Sequence, residues 1–410
     1  MLPGGLTHDR EFLKLWGGQA ISKIGSTITS VGLPLTAALV LGASPMQMGI
    51  LAGSNGAGVL VFGLFAGAWA DRLRRRPILI AADLARAALL ATIPLAAAWH
   101  RLNMAHLYAV ATLAGILTVL FDVSYQAYVP ALVDRAELVE ANSKLALTES
   151  IADVTGPGLT GLLVQLITAP MAILLDALSF VCSAVSVWLI SRPEPQPEPS
   201  LAPHIGREIA EGLRASWRNP LLRALLQRAG GGAFFAGFYG SLYFLFAVRE
   251  LHISAILLGA IISVGGASNV FGALLAERLL HRLGLGRMLI GAAWMIGLAM
   301  LLVPLAHGPV ALCTAFLVAA QLGDMAWPIY NINETSLRQA IVPHHLLGRV
   351  NSAGHLLFWG ALPLGGLAGG AIAQTIGIRQ TMLIGALGYL LSTLWLTFSP
   401  IRHLRKLPVA

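Results

Sequence analysis

The sequence has little charge. Of its 410 residues only 11% are Asp, Glu, Lys or Arg, against roughly 25% in ordinary soluble domains. With 56% hydrophobic residues and a mean hydropathy of +0.74, a disordered chain and a water-soluble enzyme are both excluded. Neither could keep so much apolar surface from water. Cysteine is almost missing. Cys182 and Cys313 each lie inside an apolar run, so neither a disulfide framework nor a thiolate metal centre is indicated, and no metal or cofactor is expected. Nucleotide-binding signatures are missing too. Gly230-Gly231-Gly232 and Gly265-Gly266 sit in apolar segments and lack the Lys-Ser/Thr ending of a P-loop. No enzyme is expected. The first twelve residues are polar and the apolar run after them is too long for a signal-peptide core, so no cleavable signal is expected.

What the chain does have is apolar segments of spanning length, since ~20 residues cross a bilayer as a helix. They fall at roughly 14–41, 46–70, 77–99, 105–130, 142–168 and 170–191, then 220–248, 254–280, 287–306, 309–334, 349–376 and 378–399. Six and six divide around the one long polar stretch. The expected organisation is a bundle over 1–191, a cytoplasmic linker over 192–219 and a second bundle over 220–410. The linker opens with the extended run Arg192-Pro-Glu-Pro-Gln-Pro-Glu-Pro-Ser200. It continues through Ile205–Trp217, where Ile209, Leu213 and Trp217 recur every four residues, the pattern of an amphipathic helix lying on the membrane surface. The 44 glycines fit close helix contact in lipid.

The positions of the basic residues give the orientation. Arg72, Arg74, Arg75 and Arg76 lie between segments two and three, and Arg278, Arg282 and Arg287 between eight and nine. Arg192, Arg207, Arg214, Arg218 and Arg223 lie in and beside the linker; Arg402, Arg405 and Lys406 lie in the tail. The opposite loops hold only Arg101, Arg249 and Arg379. Both termini are therefore expected in the cytoplasm of a multi-pass inner-membrane protein. The net charge of +8 is spread over these short loops, which argues against nucleic acid as a partner.

The halves read as copies. Ala131–Ser143 aligns with Ala340–Ser352 at an offset of 209, which also carries Gly156 onto Gly365 and Gly161 onto Gly370. Two six-helix repeats in the same orientation imply a substrate path between bundles, near the midplane.

One stretch carries a signature: Gly67-Ala-Trp-Ala-Asp71-Arg72-Leu-Arg-Arg75-Arg76. It resembles the loop motif of the major facilitator superfamily, with Arg74 where the family usually has a second glycine. Gly156-Pro157-Gly158-Leu-Thr-Gly161 is similar to the antiporter-associated motif of exporters, and Phe121-Asp122 to Pro130 and Asp134 to Asn142 are also alike. The likeness runs over the whole chain. It points to the bacterial efflux branch that includes macrolide exporters and the enterobactin exporter. The resemblance implies an all-α membrane protein of twelve transmembrane helices in two six-helix bundles. It further implies export of a small amphiphilic compound, a drug or secondary metabolite, by proton antiport with alternating access. An uncoupled siderophore or metabolite facilitator and a non-transporting receptor are the other readings. Substrate, protons and the lipid bilayer are the expected partners of what is expected to be a monomer.

Gly67, Asp71, Arg72, Arg75 and Arg76 are the candidate gate, with topology anchoring as the plain alternative. Gly156, Pro157, Gly158 and Gly161 are either an antiporter motif or a packed proline kink. Ionisable groups at membrane depth are costly and usually functional. Asp83, Asp122, Glu149, Asp153, Asp176 and Asp324 lie within segments, with Lys23, Arg86 and Arg228 as cations. Asp83 and Arg86 share a helix face as a possible ion pair. Glu149 and Asp153, four apart, cannot both ionise cheaply in a low dielectric. Asp122, Glu149, Asp153 and Arg86 are thus the candidates for proton coupling, although the fourth segment lacks the arginine motif of many superfamily antiporters. Phe238, Tyr239, Tyr243, Asp324, Trp327, Tyr330 and Asn331 are candidate cavity residues, suited to an amphiphilic or cationic ligand or else simply packed. Asp176 reads as a packing cap or a cavity acid, and His355 as a protonation candidate.

Overall fold

The computed structural model describes residues 6–54, 56, 74–194 and 205–408; of residues 205–209, 344 and 345 it describes the backbone alone. Every regular element among them is helical. Before the linker come α1 (Arg10–Leu35), α2 (45–54), α3 (Arg75–Ala98), α4 (Met104–Leu132), α5 (Leu138–Ile167) and α6 (Ala169–Trp188). The linker holds α7 (Ile205–Arg218). Then follow α8 (Pro220–Arg249), α9 (Ala255–Leu283), α10 (Leu285–Leu305), α11 (Val310–Leu322), α12 (Ala326–Ile341), α13 (His344–Ile376) and α14 (Ile378–Thr397). Eleven spans of membrane-crossing length and apolarity lie among the described residues, α11 and α12 counting as one across the turn Gly323–Met325. The expected second span, 46–70, is described only in its first part.

Local chemistry sets the ends. Asp9 caps α1 by accepting from the Glu11 and Phe12 amides, Asn103 caps α4 and Asn219 caps α8, each satisfying donors that a helix start leaves free. Turns repeat in kind along the chain. Gly42, His100 and Thr168 have positive φ, and so do His252, Gly308 and Gly377, at sequence offsets of 210, 208 and 209. Thr168 at φ 84° and Gly377 at φ 92° also share a bonding pattern, accepting from Ala172 and Thr381 and donating to Val164 and Ala373. The repeat read from the sequence is therefore built into the backbone.

Two compact units divide the chain. The first comprises residues 1–42, 57–203 and 255–263. Its core packs Phe12 and Leu15 of α1, Leu79 of α3, Phe121 and Tyr128 of α4 and Val187 of α6. Here Gly161 of α5 meets the start of α9, where an added Cβ would lie 3.0 Å from the Ile256 Cα. The Gly158 amide donates to Ser263 Oγ at 2.9 Å. The second unit comprises 43–56, 204–254 and 264–410. Its core joins Leu289 and Ala293 of α10, Ile329 and Tyr330 of α12 and Leu396 of α14. Gly370 of α13 lies against α2, a Cβ there falling 3.0 Å from the Gly49 Cα. The linker helix α7 docks on α13 through Gly212, which abuts the Arg349 backbone, and through a Glu211–Arg349 ion pair of 2.6 Å.

Candidate functional site

In the first unit, charge gathers on α1, α3, α4 and α5. Lys23 of α1 donates to Glu149 of α5 at 3.0 Å, both side chains about half exposed. Asp122 and Asp153 are exposed and lie within electrostatic reach of that pair. One carboxylate, Glu149, thus contacts the ammonium group, and two more lie within electrostatic range of it. The predicted coupling residues Asp122, Glu149 and Asp153 are brought together; Arg86 lies one layer deeper. It is 4% exposed, donates to Asp83 three residues earlier, and its guanidinium stacks between Phe121 and Phe180 at 4.4 and 4.1 Å. Asp176 accepts from Thr29 and, at 3.0 Å, from Ser179, and is fully enclosed by packing.

Of the loop motif, Gly67, Asp71 and Arg72 lie outside the described residues. Arg75 and Arg76 bind helix ends. Glu194 accepts from the Arg75 and Arg76 amides at 2.6 and 3.2 Å, capping α3. The Arg76 guanidinium donates to the Trp188 and Val187 carbonyls at 2.5 and 3.2 Å, at the C-terminal end of α6 where cations are favoured. Gly156 packs on Thr27 of α1, so the Gly-Pro stretch is in tight contact with α1 on one side and the start of α9 on the other.

The predicted cavity residues of the second unit separate. Trp327, Tyr330 and Asn331 line a cavity of about 290 Å³ together with Arg228 of α8 and His355 and Phe358 of α13. Asp324, Tyr239 and Tyr243 belong elsewhere. Asp324 projects from the α11–α12 turn toward Gly265 of α9 and faces the two tyrosines. Phe238 is buried against Gly369 and Gly385 and serves packing. The expected juxtaposition of Asp324 with Trp327 and Tyr330 around one ligand is therefore corrected. The Gly323–Met325 turn points Asp324 to α9, away from the cavity. Sequence reading does not single out Glu334 and Arg338, an ion pair of 3.3 Å in the cavity wall, because they fall at and just beyond the end of the tenth apolar segment. Their four-residue spacing on one helix face was the available signal.

This helical architecture is that of known transporters. A family model described as "Transmembrane secretion effector" matches residues 6–408. The chain belongs to this family of major facilitator transporters. It is 28% identical to the multidrug efflux pump Tap of Mycolicibacterium fortuitum over 401 residues, 94% of each chain. It is 26% identical to macrolide efflux protein A of Streptococcus pyogenes over 402 residues, 97% of each. A bacterial homologue of the iron transporter ferroportin superposes with TM-score 0.78 at 18% identity, over 95% of this chain and 98% of that one. The nucleoside transporter NupG does so with TM-score 0.79 at 12% identity, over 94% and 99%. The protein is a multi-span membrane transporter of the major facilitator fold and of the efflux type, not an enzyme.

Proposed function

We propose that this transporter exports a small amphiphilic compound, a drug or secondary metabolite, in exchange for protons, by alternating access between its halves. The observation that carries the reading is the cluster of Asp122, Glu149 and Asp153 around Lys23. Among the described residues Asp122 and Asp153 form no ion pair of their own. At membrane depth such an excess is most cheaply relieved by bound protons, which a gradient can deliver and withdraw. A ligand that favours one state and a proton that favours another suffice to couple the two flows. The aromatic cavity of the second unit supplies the apolar contact for a cargo. The names of Tap and macrolide efflux protein A support an antibiotic-like cargo. The basic loops support cytoplasmic termini, and the polar stretch 192–219 supports a cytoplasmic linker between bundles 1–191 and 220–410 in a protein that acts as a monomer.

The test is an export profile. Cells expressing the protein, compared with cells expressing Asp153→Asn, are loaded with acidic, neutral and cationic amphiphiles including a macrolide, and accumulation is followed. The expected result is lower accumulation of at least one class, reversed by the substitution and by a protonophore. Unchanged accumulation across the panel would contradict export.

A further inference from the structure

The two units contain the same aromatic clamp with different contents. In the first, Phe121 and Phe180 hold the Arg86 guanidinium. At an offset of 209 these positions become Tyr330 and Tyr389, and those rings hold the Arg228 guanidinium at 4.9 and 4.5 Å. The arginines are not equivalents. Arg86 comes from α3, whereas Arg228 comes from α8 and occupies the place of Gln19 in the repeat.

The difference lies in neutralisation. Arg86 has Asp83 on its own helix. The helix corresponding to α3 is α10, which contains no acidic residue. Among the described residues Arg228 has no carboxylate in ion-pair contact. It donates one Nη to the Tyr389 hydroxyl, its Nε has no hydrogen-bond partner, and it is 2% exposed. The nearest acid in the cavity, Glu334, is already paired with Arg338. A buried guanidinium is costly unless an anion meets it, and Arg228 lines the cavity. With Arg228 and Arg338 against Glu334, the fixed charges of the cavity leave one positive charge over. Trp327 and Phe358, 6.2 Å apart, supply apolar lining in the same cavity.

We propose that the cavity of the second unit is the seat of an acidic amphiphile, whose carboxylate completes Arg228 between Tyr330 and Tyr389 while its apolar or aromatic body lies on Trp327 and Phe358. This deepens the efflux reading and rests on it for the statement that the acid is cargo. The planar guanidinium offers a paired donor edge to a carboxylate and stays charged in the absence of ligand. In the first unit the corresponding clamp holds an arginine that already has a counter-ion, Asp83, on its own helix.

Binding is read directly on the purified full chain in neutral detergent, by quenching of tryptophan fluorescence, with Trp327 in the cavity wall. The probes are 2-naphthaleneacetate, its neutral amide and the matching naphthylethylammonium. The acid is expected to bind at least about tenfold more tightly than the amide, and the cation more weakly still. Arg228→Gln should abolish that preference, while Arg228→Lys, which keeps the charge and loses the paired geometry, should retain part of it. The preference within the wild-type protein needs no variant, so a misfolded Arg228→Gln does not remove the test. Equal binding of the three probes, tighter binding of the cation, or no saturable binding of the acid would overturn the proposal. Added phosphatidylglycerol should leave acid binding unchanged; displacement would assign the site to a lipid headgroup and contradict an exported acid. No gradient is involved. A protein that binds the acid selectively but exports nothing would refute the efflux reading while the site stands.

Discussion

At the scale of single residues, charge within the helices is arranged in two ways with different consequences. Asp83 and Arg86 are nearly inaccessible and bonded to each other. Asp83→Ala would leave a guanidinium buried without its acid, a change of about 3–5 kcal/mol. We expect the variant to lose monodispersity on size exclusion or to melt well below wild type, and Asp83→Ala combined with Arg86→Leu to recover most of the loss. A single variant as stable as wild type would remove the pair from the core energetics. Lys23 and Glu149 are half exposed, so breaking that pair should have almost no effect on stability. Its importance, on the proposed reading, is in transport. A second residue-scale case is Thr168, held at φ 84° and ψ 155°, a region kept essentially for glycine. The equivalent position in the other half is Gly377. Thr168→Gly should raise stability by about 1 kcal/mol, measured as a higher melting temperature; a lower one would show that the threonine side chain does more than the backbone conformation costs.

At the scale of elements, close approach by small residues governs packing. Gly161 of α5 leaves no space for a side chain against the start of α9. Gly161→Leu should therefore cost about 1–3 kcal/mol through overpacking, seen as a lower melting temperature. Gly17, with nothing within 4 Å of an added Cβ, should tolerate Ala with no loss, since Ala is the better helix residue. Equal effects at both sites would contradict the packing account. The helices themselves were the most legible part of the molecule. Length and apolarity mark nearly every span, and the four-residue pattern at Ile209, Leu213 and Trp217 marks α7. What periodicity does not carry is direction at a turn. Asp324, Trp327 and Tyr330 lie within one short stretch of sequence, yet the Gly323–Met325 turn separates Asp324 from the cavity. The docking of α7 was likewise invisible, because the contact at Gly212 depends on the Arg349 backbone, far away in the chain.

At the scale of the whole molecule, the repeat organises both what was read and what was missed. The offset near 209 was visible in the aligned segments and fixes turns, glycine seams and the two aromatic clamps. Departures from it are more informative than agreements. Asp122, Glu149 and Asp153 correspond to Asn331, Phe358 and Leu362, so the acid cluster belongs to the first half alone. Arg228 replaces Gln19, so an arginine with no carboxylate in ion-pair contact among the described residues belongs to the second. On the proposed reading, the repeat supplies a common framework in which one half handles protons and the other holds cargo.

The most direct measurement is proton movement in liposomes containing the purified protein and a trapped pH-sensitive dye. Imposing a gradient of an exported amphiphile should drive protons in the opposite direction. The signal should be lost in Asp122→Asn and Asp153→Asn variants that remain folded. Cargo movement with no change of internal pH, or proton movement undiminished in both variants, would contradict the account.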